Sequence, residues 1–584
     1  MDPTNANTAL ASAFVEELAR GGLRHAVLSP GSRSTPLALA LWRQAEIDVT
    51  VIVDERAAGF FALGAAQASG APVAMLCTSG TAAANFHPAI CEADESGIPL
   101  VALTADRPPE LRGIGAGQTI DQVKLYGSSV RWFCEVGTHD ADDDGLLHYR
   151  STACRALAAA SGEPRPGPVH LNLPWREPLA PIPVEGAVTA TDPLALEGRD
   201  ARPLTAVTRI DLEPSAFLLE EVAGHIGDAI AGVIVAGRQL DPELREPLAH
   251  LARVAGMPIL AEPTSQLRCG PHDRSHVVTA YDLLLRDEHF ASSVVPDLVI
   301  RFGAMPTSKP LRAWLASSGA DQIVVDPYGG WNEPTRQAAA ILRADPTELA
   351  AGWAARLEKG EARAAPERWI EAEAKACAVL DAELEGQSEL SEPGLHRALG
   401  LAHRNGDLVY TASSMPIRDQ EAFLPASDTD ALFLSNRGAN GIDGLLSSGI
   451  GAAHASGRPT TIVTGDLGLL HDIGGLAALR DVETPVRIVV IDNDGGGIFG
   501  FLPQADLLEG SEFEALLGTP RGVSVAKAAA LFNLPHRHLE SLEGLPDALA
   551  AGTGLIEIQV DRRANVELHR RLTEQVAVAL AALR

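Results

Sequence analysis

The sequence predicts an α/β protein built from three doubly wound parallel-sheet domains. Short apolar runs rich in β-branched residues alternate with helical stretches, which is typical of βαβ units. A chain of 584 residues, 46% of them hydrophobic, is too long for a single core. Glycine, acidic and amide residues recur where the apolar runs end, and doubly wound sheets bind their ligands at that end.

Composition excludes several classes of protein. A net charge of −29 without a basic stripe argues against a nucleic-acid binder. The six cysteines lack CxxC spacing, which argues against a zinc site or a disulfide framework and favours a reduced cytoplasm. The first residues read as an amphipathic helix rather than a signal peptide, and no apolar run reaches the length of a membrane span. We therefore expect a cytoplasmic protein without a membrane partner.

The first third of the chain predicts one sheet. Its strands are HAVLSP, DVTVIVDE, APVAMLC and PLVALTADR, with helical stretches between them. Polar residues follow each strand in SPGSRS, DERAAG, TSGTA and TADRP. Each could be only a helix N-cap, but four such ends favour a ligand-binding edge. Glu55, at the end of VTVIVDE, is a candidate site residue, although an acid at a helix N-terminus is also stabilised by the helix dipole.

Two further α/β blocks follow. A stretch rich in proline and small residues, 178–198, is typical of a linker. The second block has strands in GVIVAG, MPILAEP, PDLVIRF and DQIVVD, and the third in LVYTASS, ALFLSN, TTIVTGD, RIVVID and LIEIQV. We predict domains at 1–185, 206–355 and 366–584.

The stretch from Gly465 to Phe499 predicts a metal site. Asp466 and Asn493 each follow a buried strand, and an apolar helix, LLHDIGGLAALRD, is expected between those strands. Together with the backbone carbonyl of Gly495, they can offer a face of hard oxygen ligands. Mg²⁺ prefers such ligands and keeps its other positions for phosphates and water.

Two other interpretations of this stretch remain open. GD and DNDGGG could be ordinary strand-to-helix turns. Alternatively, Gly495, Gly497 and Gly500 satisfy the GxGxxG pattern of dinucleotide-binding proteins. The adjacent Asp492 and Asp494 would repel a pyrophosphate that had no metal, which disfavours the second interpretation.

The ordered motifs resemble those of thiamine diphosphate-dependent enzymes, in the form found in the MenD family of menaquinone biosynthesis. The resemblance runs the length of the chain, and SPGSRS and SNRG…GIDG are specific to this branch. It implies the thiamine diphosphate-binding fold, with pyrimidine-binding, central and diphosphate-binding domains. The motifs that carry it are SPGSRSTPL, DERAAG, TSGTAAAN, TADRPPEL, GAGQTIDQ, SKPL, SSMPIRD, SNRGANGIDG, GDLGLLHD and NDGGGIF.

The resemblance implies thiamine diphosphate with Mg²⁺ or Mn²⁺ as cofactors. Glu55 would bond the aminopyrimidine of the cofactor and promote proton removal from its thiazolium, a step that a carboxyl with a raised pKa can assist near neutral pH. Ile442 would support the bent cofactor. The implied metal ligands are Asp466, Asn493 and Gly495, and the implied cofactor contacts are Glu55, Ser414, Ile442, Gly465, Asp466, Leu467, Asn493, Gly495 and Ile498.

The resemblance also implies two dicarboxylate substrates, 2-oxoglutarate and isochorismate. The enzyme, a transferase, would decarboxylate the first and add the resulting succinyl carbanion to the second, giving 2-succinyl-5-enolpyruvyl-6-hydroxy-3-cyclohexene-1-carboxylate. Arginine binds carboxylates through paired N–H bonds, although a single arginine can equally be a solvated surface charge. The implied substrate residues are Ser32, Arg33, Arg107, Gln118, Lys309, Ser414, Arg418, Arg437, Ile498, Phe499 and Leu502.

Two rival functions are weighed against this one. Another thiamine-dependent carboligase or decarboxylase would not be expected to carry SPGSRS and SNRG…GIDG together. A regulatory homologue without a cofactor would be expected to lose Glu55, Asp466 or Asn493, and all three are present. Because the family places its cofactor between two subunits, the resemblance implies a homodimer or homotetramer.

Overall fold

A computed structural model of the chain describes residues 1–162, 165–208, 212–360, 363–384 and 390–583. In this described part, the strands form three six-stranded parallel sheets. Every strand pairing in these sheets is parallel, as the alternation of apolar runs and helices predicts. The predicted α/β class with parallel sheets is confirmed.

The first sheet has the strand order β2-β1-β3-β4-β6-β5. The chain therefore leaves β1 in one direction toward β2 and returns to the other side of β1 with β3, which makes the edge between β1 and β3 the switch point. Its strands are β1 (His25–Leu28), β2 (Asp48–Val51), β3 (Val73–Cys77), β4 (Leu100–Asp106), β5 (Trp132–Glu135) and β6 (Val169–Pro174). Its helices are α1 (Ala6–Arg20), α2 (Thr35–Arg43), α3 (Glu55–Ser69), α4 (Thr81–Asn85), α5 (His87–Ser96), α6 (Asp143–Ser161) and α7 (Pro193–Glu197).

The second sheet has a different order, β12-β11-β10-β7-β8-β9. Alternate residues of β7 belong to two separate hydrophobic clusters, so helices cover both faces of this sheet. Its strands are β7 (Gly232–Ala236), β8 (Ile259–Ala261), β9 (Val277–Val278), β10 (Leu298–Phe302), β11 (Asp321–Val325) and β12 (Ala338–Leu342). Its helices are α8 (Ala216–Asp228), α9 (Arg245–Ala255), α10 (Tyr281–Leu284), α11 (Glu288–Ser293), α12 (Lys309–Ser318) and α13 (Pro346–Leu357).

The third sheet repeats the arrangement of the first, with the order β14-β13-β15-β16-β18-β17. Its switch point lies between β13 and β15. Its strands are β13 (Leu408–Thr411), β14 (Leu432–Leu434), β15 (Thr460–Gly465), β16 (Val486–Asp492), β17 (His536–Leu539) and β18 (Gly554–Gln559). The helices of this part are α14 (Glu367–Leu384), α15 (Glu392–Ala402), α16 (Met415–Phe423), α17 (Leu445–Ser456), α18 (Asp466–His471), α19 (Gln504–Leu507), α20 (Gly510–Phe513), α21 (Val525–Leu531), α22 (Leu545–Ala550) and α23 (Arg562–Leu580).

The chain divides into two compact units. The first comprises 1–210, 436–457 and 471–484, and the second comprises 211–435, 458–470 and 485–584. Two segments that follow strands of the third sheet in the chain thus belong to the same unit as the first sheet. The predicted boundaries at 1–185, 206–355 and 366–584 stay a prediction. Among the described helices, none combines the length and the apolar character that a membrane crossing requires.

Two predicted elements differ in extent. The strand predicted to end at Glu55 ends at Val51, because the Asp54 carboxylate accepts hydrogen bonds from the amides of Arg56 and Ala57 and starts α3 at Glu55. The helix predicted between β15 and β16 is also wrong in form. It consists of the short α18 and a 3₁₀ segment, Ile473–Asp481, that contains two adjacent glycines.

Candidate functional site

The predicted metal ligands lie at adjacent strand ends in the second unit. Asp466 directly follows β15 and Asn493 directly follows β16, and these two strands pair in register from Thr460 to Gly465. Gly495 has a φ of 136°, and a Cβ at this position would lie 2.0 Å from the carbonyl oxygen of Gly518. Only glycine therefore fits the turn that follows Asn493.

Two oxygens at this edge lack the partners that buried polar atoms normally have. Asp466 Oδ2 and Asn493 Oδ1 are both buried, and neither has a hydrogen-bond partner among the described residues. Burial, together with the charges of Asp492 and Asp494, raises the pKa of Asp466 to about 7, although hydrogen bonds from two backbone amides act to lower it. A hard divalent cation fits this arrangement, because it would take up both oxygens and offset the carboxylate charges.

The orientation of the Asn493 amide is set by a buried acid. Asn493 Nδ2 lies 2.9 Å from Glu392 Oε1, at the first residue of α15. Asn493 Nδ2 donates in this contact, so the nitrogen faces Glu392 and Oδ1 faces the other way. Burial raises the pKa of Glu392 well above its usual value. Sequence reasoning missed Glu392, and no local pattern marks it, because it lies 101 residues from Asn493.

The dinucleotide interpretation of the glycine-rich turn is not supported by its geometry. The residues after Asn493 form a 3₁₀ segment, Gly497–Phe501, instead of opening a long helix whose N-terminus could hold a pyrophosphate. Asp494 is engaged elsewhere, because its Oδ1 accepts hydrogen bonds from the amides of Arg521 and Gly522 at 3.1 and 2.9 Å. Ile498, Phe499 and Leu502 lie half-buried in this turn or directly after it.

Ser414 and Arg418 meet at the switch point of the third sheet. Ser414 follows β13 with a φ of 76°, an unusual conformation for a residue other than glycine. The Arg418 guanidinium donates a hydrogen bond to the carbonyl oxygen of Ser414. Lys309 is placed differently, on the exposed first turn of α12 beside the second sheet.

Four predicted residues lie at the carboxyl edge of the first sheet. The Arg107 guanidinium donates to the Ser79 hydroxyl, and Gln118 Nε2 donates to the Ser79 carbonyl oxygen at 2.9 Å. Arg33 donates to the carbonyl oxygen of Trp175 at 2.9 Å, and Ser32 is exposed beside it. These loops follow β1, β3 and β4, so they surround the switch point where ligands are expected.

Two positive charges are held close together there. Burial and the neighbouring charge of Arg33 both lower the pKa of Arg107 below its usual value. Glu177 offsets part of the charge, with its Oε1 3.3 Å from Arg33 Nη2. A pair of arginines that repel each other in a half-buried position forms a good site for a carboxylate.

Gln122 fixes the loop between these groups. Its Oε1 accepts from the amide of Gly80 at 2.8 Å, while its Nε2 donates to Asn172 Oδ1 at 2.9 Å. Gln122 is fully buried. It belongs to the GAGQTIDQ motif, but sequence reasoning named only Gln118 from that motif.

Glu55 begins α3 and is half-buried. The same unit holds the loop before α17, with Arg437 half-buried and the Ile442 side chain 36% exposed. The cofactor and substrate residues are thus divided between the units. Those in the first unit are Ser32, Arg33, Glu55, Arg107, Gln118, Arg437 and Ile442, and those in the second are Lys309, Ser414, Arg418, Gly465, Asp466, Leu467, Asn493, Gly495, Ile498, Phe499 and Leu502.

A third residue that sequence reasoning missed, Glu92, holds the loop that contains Arg437 and Ile442. Its Oε1 accepts from the amide of Gly438 and its Oε2 from that of Ala439, both at 2.7 Å, and Oε2 also lies 3.3 Å from the amide of Asn440. Glu92 is buried on α5. A carboxylate that accepts from successive amides fixes the path of that backbone.

Comparisons with protein-family models give two matches. Residues 8–125 match the thiamine pyrophosphate enzyme, N-terminal TPP binding domain. Residues 228–408 match the middle domain of thiamine pyrophosphate enzymes. The two matches include the first and second sheets in large part.

Curated relatives are similar over the whole chain, and three of them share one name, 2-succinyl-5-enolpyruvyl-6-hydroxy-3-cyclohexene-1-carboxylate synthase. The protein from Myxococcus xanthus is 41% identical, with 99% of this chain and 98% of the relative covered. That from Chloroflexus aurantiacus is 43% identical over 98% and 96% of the two chains. That from Haloarcula marismortui is 41% identical over 100% of both chains.

Proposed function

The chain belongs to the family of 2-succinyl-5-enolpyruvyl-6-hydroxy-3-cyclohexene-1-carboxylate synthases, and from that membership we propose how its residues carry out the reaction. The enzyme is a transferase of menaquinone biosynthesis that depends on thiamine diphosphate. It decarboxylates 2-oxoglutarate and adds the remaining succinyl group to isochorismate. When bound, thiamine diphosphate supplies the electron sink for the decarboxylation.

Asp466 and Asn493 hold the divalent cation, Mg²⁺ or Mn²⁺, together with the carbonyl of Gly495. The observation that carries this proposal is the pair of buried oxygens, Asp466 Oδ2 and Asn493 Oδ1, that lack partners in the described chain. With the cation, these residues would anchor the diphosphate of the cofactor. Gly465 and Leu467 flank Asp466 in the chain, and they would contact the diphosphate of the cofactor.

Glu55 moves a proton at the aminopyrimidine of the cofactor. Glu55 is the first residue of α3, directly after the helix N-cap Asp54, and is half-buried. Ile442, partly exposed, supports the bent cofactor from the loop that Glu92 holds, and Ser414 and Ile498 add contacts. Because the family places its cofactor between subunits, we propose at least a homodimer, or a homotetramer built from such dimers.

The arginines bind the substrate carboxylates and orient the acceptor for attack. Arg33 and Arg107 form one site, with Ser32 and Gln118 as hydrogen-bonding partners. Arg418 and Arg437 form further contacts with the substrates. The other proposed substrate residues are Lys309, Phe499 and Leu502. An overall charge of −29 repels dicarboxylates, but at contact distance a half-buried arginine outweighs screened charges more than about 8 Å away.

Product analysis tests this function. The protein is incubated with thiamine diphosphate, Mg²⁺, 2-oxoglutarate and isochorismate, and the product is identified by mass. The expected product is the succinyl-enolpyruvyl cyclohexene carboxylate. Release of CO₂ without addition to isochorismate, or a product formed from a different acceptor, would instead support another thiamine-dependent carboligase or decarboxylase.

Binding measurements test the metal site separately. Asp466→Ala should lose Mg²⁺-dependent binding of thiamine diphosphate, because the diphosphate would face unneutralised acids in a partly desolvated site. Asp506→Ala is a matched control, since Asp506 is exposed in the same unit. Wild-type affinity for thiamine diphosphate in the Asp466 variant would remove Asp466 from the metal site.

A further inference from the structure

A second cluster of metal-binding groups lies in the first unit, formed by His25, Asp48 and His454. His25 begins β1 and Asp48 begins β2, and the two residues pair directly in the register of these strands. His454 lies in the last turn of α17. Three separate elements therefore bring two imidazoles and a carboxylate to one place.

The spacing of the three groups suits one ion. The distance from His454 Nε2 to Asp48 Oδ2 is 2.8 Å, and that from His25 Nδ1 to the same oxygen is 3.8 Å. All three ligand atoms lie within 4.8 Å of one another. With bonds of about 2.0–2.1 Å, ligand atoms around a tetrahedral Zn²⁺ lie roughly 3.3 Å apart. The observed distances bracket this value.

The state of His25 also favours a metal. Its Nδ1 is buried and has no hydrogen-bond partner among the described residues. Burial, together with the charge of His454, lowers the pKa of His25, while Asp48 raises it. A neutral imidazole has the lone pair that a metal ion requires.

We propose that His25, Asp48 and His454 bind a divalent transition-metal ion of the Zn²⁺ class. Two imidazoles with one carboxylate suit such borderline ions, whereas Mg²⁺ prefers oxygen ligands alone. The spacing of the cysteines argues against a zinc site, but this site uses no cysteine. The fourth position is open to water or to Thr50, whose Oγ1 lies 3.4 Å from His454 Nε2.

This site is distinct from the proposed substrate site of the same unit. His25 and Asp48 lie at the amino ends of their strands, whereas Arg33 and Arg107 follow the carboxyl ends of β1 and β4. The ion would join β1 and β2 to α17, next to the ring of Phe61, whose centroid lies 5.5 Å from that of His454. We therefore assign it a structural role: it fastens α17 to the first sheet.

Equilibrium dialysis tests the proposal. The enzyme is kept with thiamine diphosphate and excess Mg²⁺, so that the oxygen site is filled, and dialysed against Zn²⁺, after which bound zinc is counted per chain. Asp48→Asn and His25→Ala should each bind one Zn²⁺ fewer per chain than the wild type. Asp48 is 56% exposed, so its replacement by asparagine should fold normally. Zinc should raise the melting temperature of the wild type but not of these variants.

A second histidine pair provides the matched control. His536 and His538 both approach Glu557 Oε2, at 2.6 and 3.7 Å, on β17 and β18. His538→Ala should retain the zinc that the Asp48 and His25 variants lose. The proposal is overturned if the wild type binds no zinc, or if Asp48→Asn and His25→Ala bind as much as the wild type. In either case the three residues bind no metal ion, and the contact between His454 and Asp48 is a hydrogen bond alone.

Discussion

Asn493 illustrates how the site depends on single atoms. An asparagine amide can present either its oxygen or its nitrogen to a cation, and only the oxygen is a ligand. The contact with Glu392 at 2.9 Å decides which of the two faces the proposed metal position. The sequence thus predicts Asn493 as a ligand, and a buried neighbour sets the orientation of its amide.

Glu55 is tested by a substitution that preserves its shape. Glu55→Gln should retain thiamine diphosphate binding, because the side chain keeps its size and position at the start of α3. It should lower kcat by roughly 10²- to 10⁴-fold, the usual contribution of a general acid–base group. Cofactor titration and steady-state kinetics measure the two effects. An unchanged kcat would remove Glu55 from proton transfer.

At the scale of elements, Glu92 connects α5 to the loop before α17. Glu92→Gln should disturb this loop. The glutamine NH₂ group is a hydrogen-bond donor, and it would face backbone N–H groups that are also donors. An unsatisfied buried group costs about 1–3 kcal/mol, so we expect KM for isochorismate or 2-oxoglutarate to rise by about tenfold. Steady-state kinetics measure KM. Glu95→Gln, on the exposed side of the same helix, is the control. Equal KM values in both variants would contradict a positioning role for Glu92.

The contact between α10 and α16 should make stability depend on pH. Burial raises the pKa of Glu421 on α16 to about 8, and the Tyr281 hydroxyl donates to its Oε1 at 2.5 Å. Between the ordinary value of 4.5 and about 8, the folded protein holds a proton that the unfolded chain has released. Stability attributable to Glu421 is therefore lost as pH rises through this window.

Glu421→Gln removes this dependence, because glutamine resembles the protonated acid. The melting temperature of the variant minus that of the wild type should be larger at pH 8 than at pH 5. Thermal unfolding at both pH values measures the difference. A difference that does not change with pH would show that Glu421 is ionised in the folded protein.

At the scale of the whole molecule, the net charge of −29 leads us to a hypothesis of adaptation to salt. Repulsion among surface acids destabilises the compact state, and molar salt shortens the Debye length from about 10 Å at 0.1 M to about 3 Å. The melting temperature should therefore rise between 0.1 and 1 M KCl. An uncharged osmolyte at equal osmolarity controls for effects other than screening. No rise with KCl would contradict the hypothesis.

The sequence by itself determined the class of fold and most of the buried strands. Strands such as β4 and β16 are buried at every residue, so their apolar runs are visible in the sequence. It also predicted Asp466 and Asn493, because residues that follow neighbouring parallel strands meet at one edge of a sheet.

Only the tertiary structure showed which segments form the edge strands and which residues far apart in the chain bond to each other. The strands β5, β12 and β17 lie at the edges of their sheets and are only partly buried, so pairing with a neighbour, rather than an apolar pattern, defines them. Glu92 bonds a loop 346 residues away, and Glu392 meets Asn493 across 101 residues. A sequence shows a glutamate in the same way whether its carboxylate is solvated or hydrogen-bonded within the protein. The donors that bond to it are set by the packing of elements that are far apart in the chain.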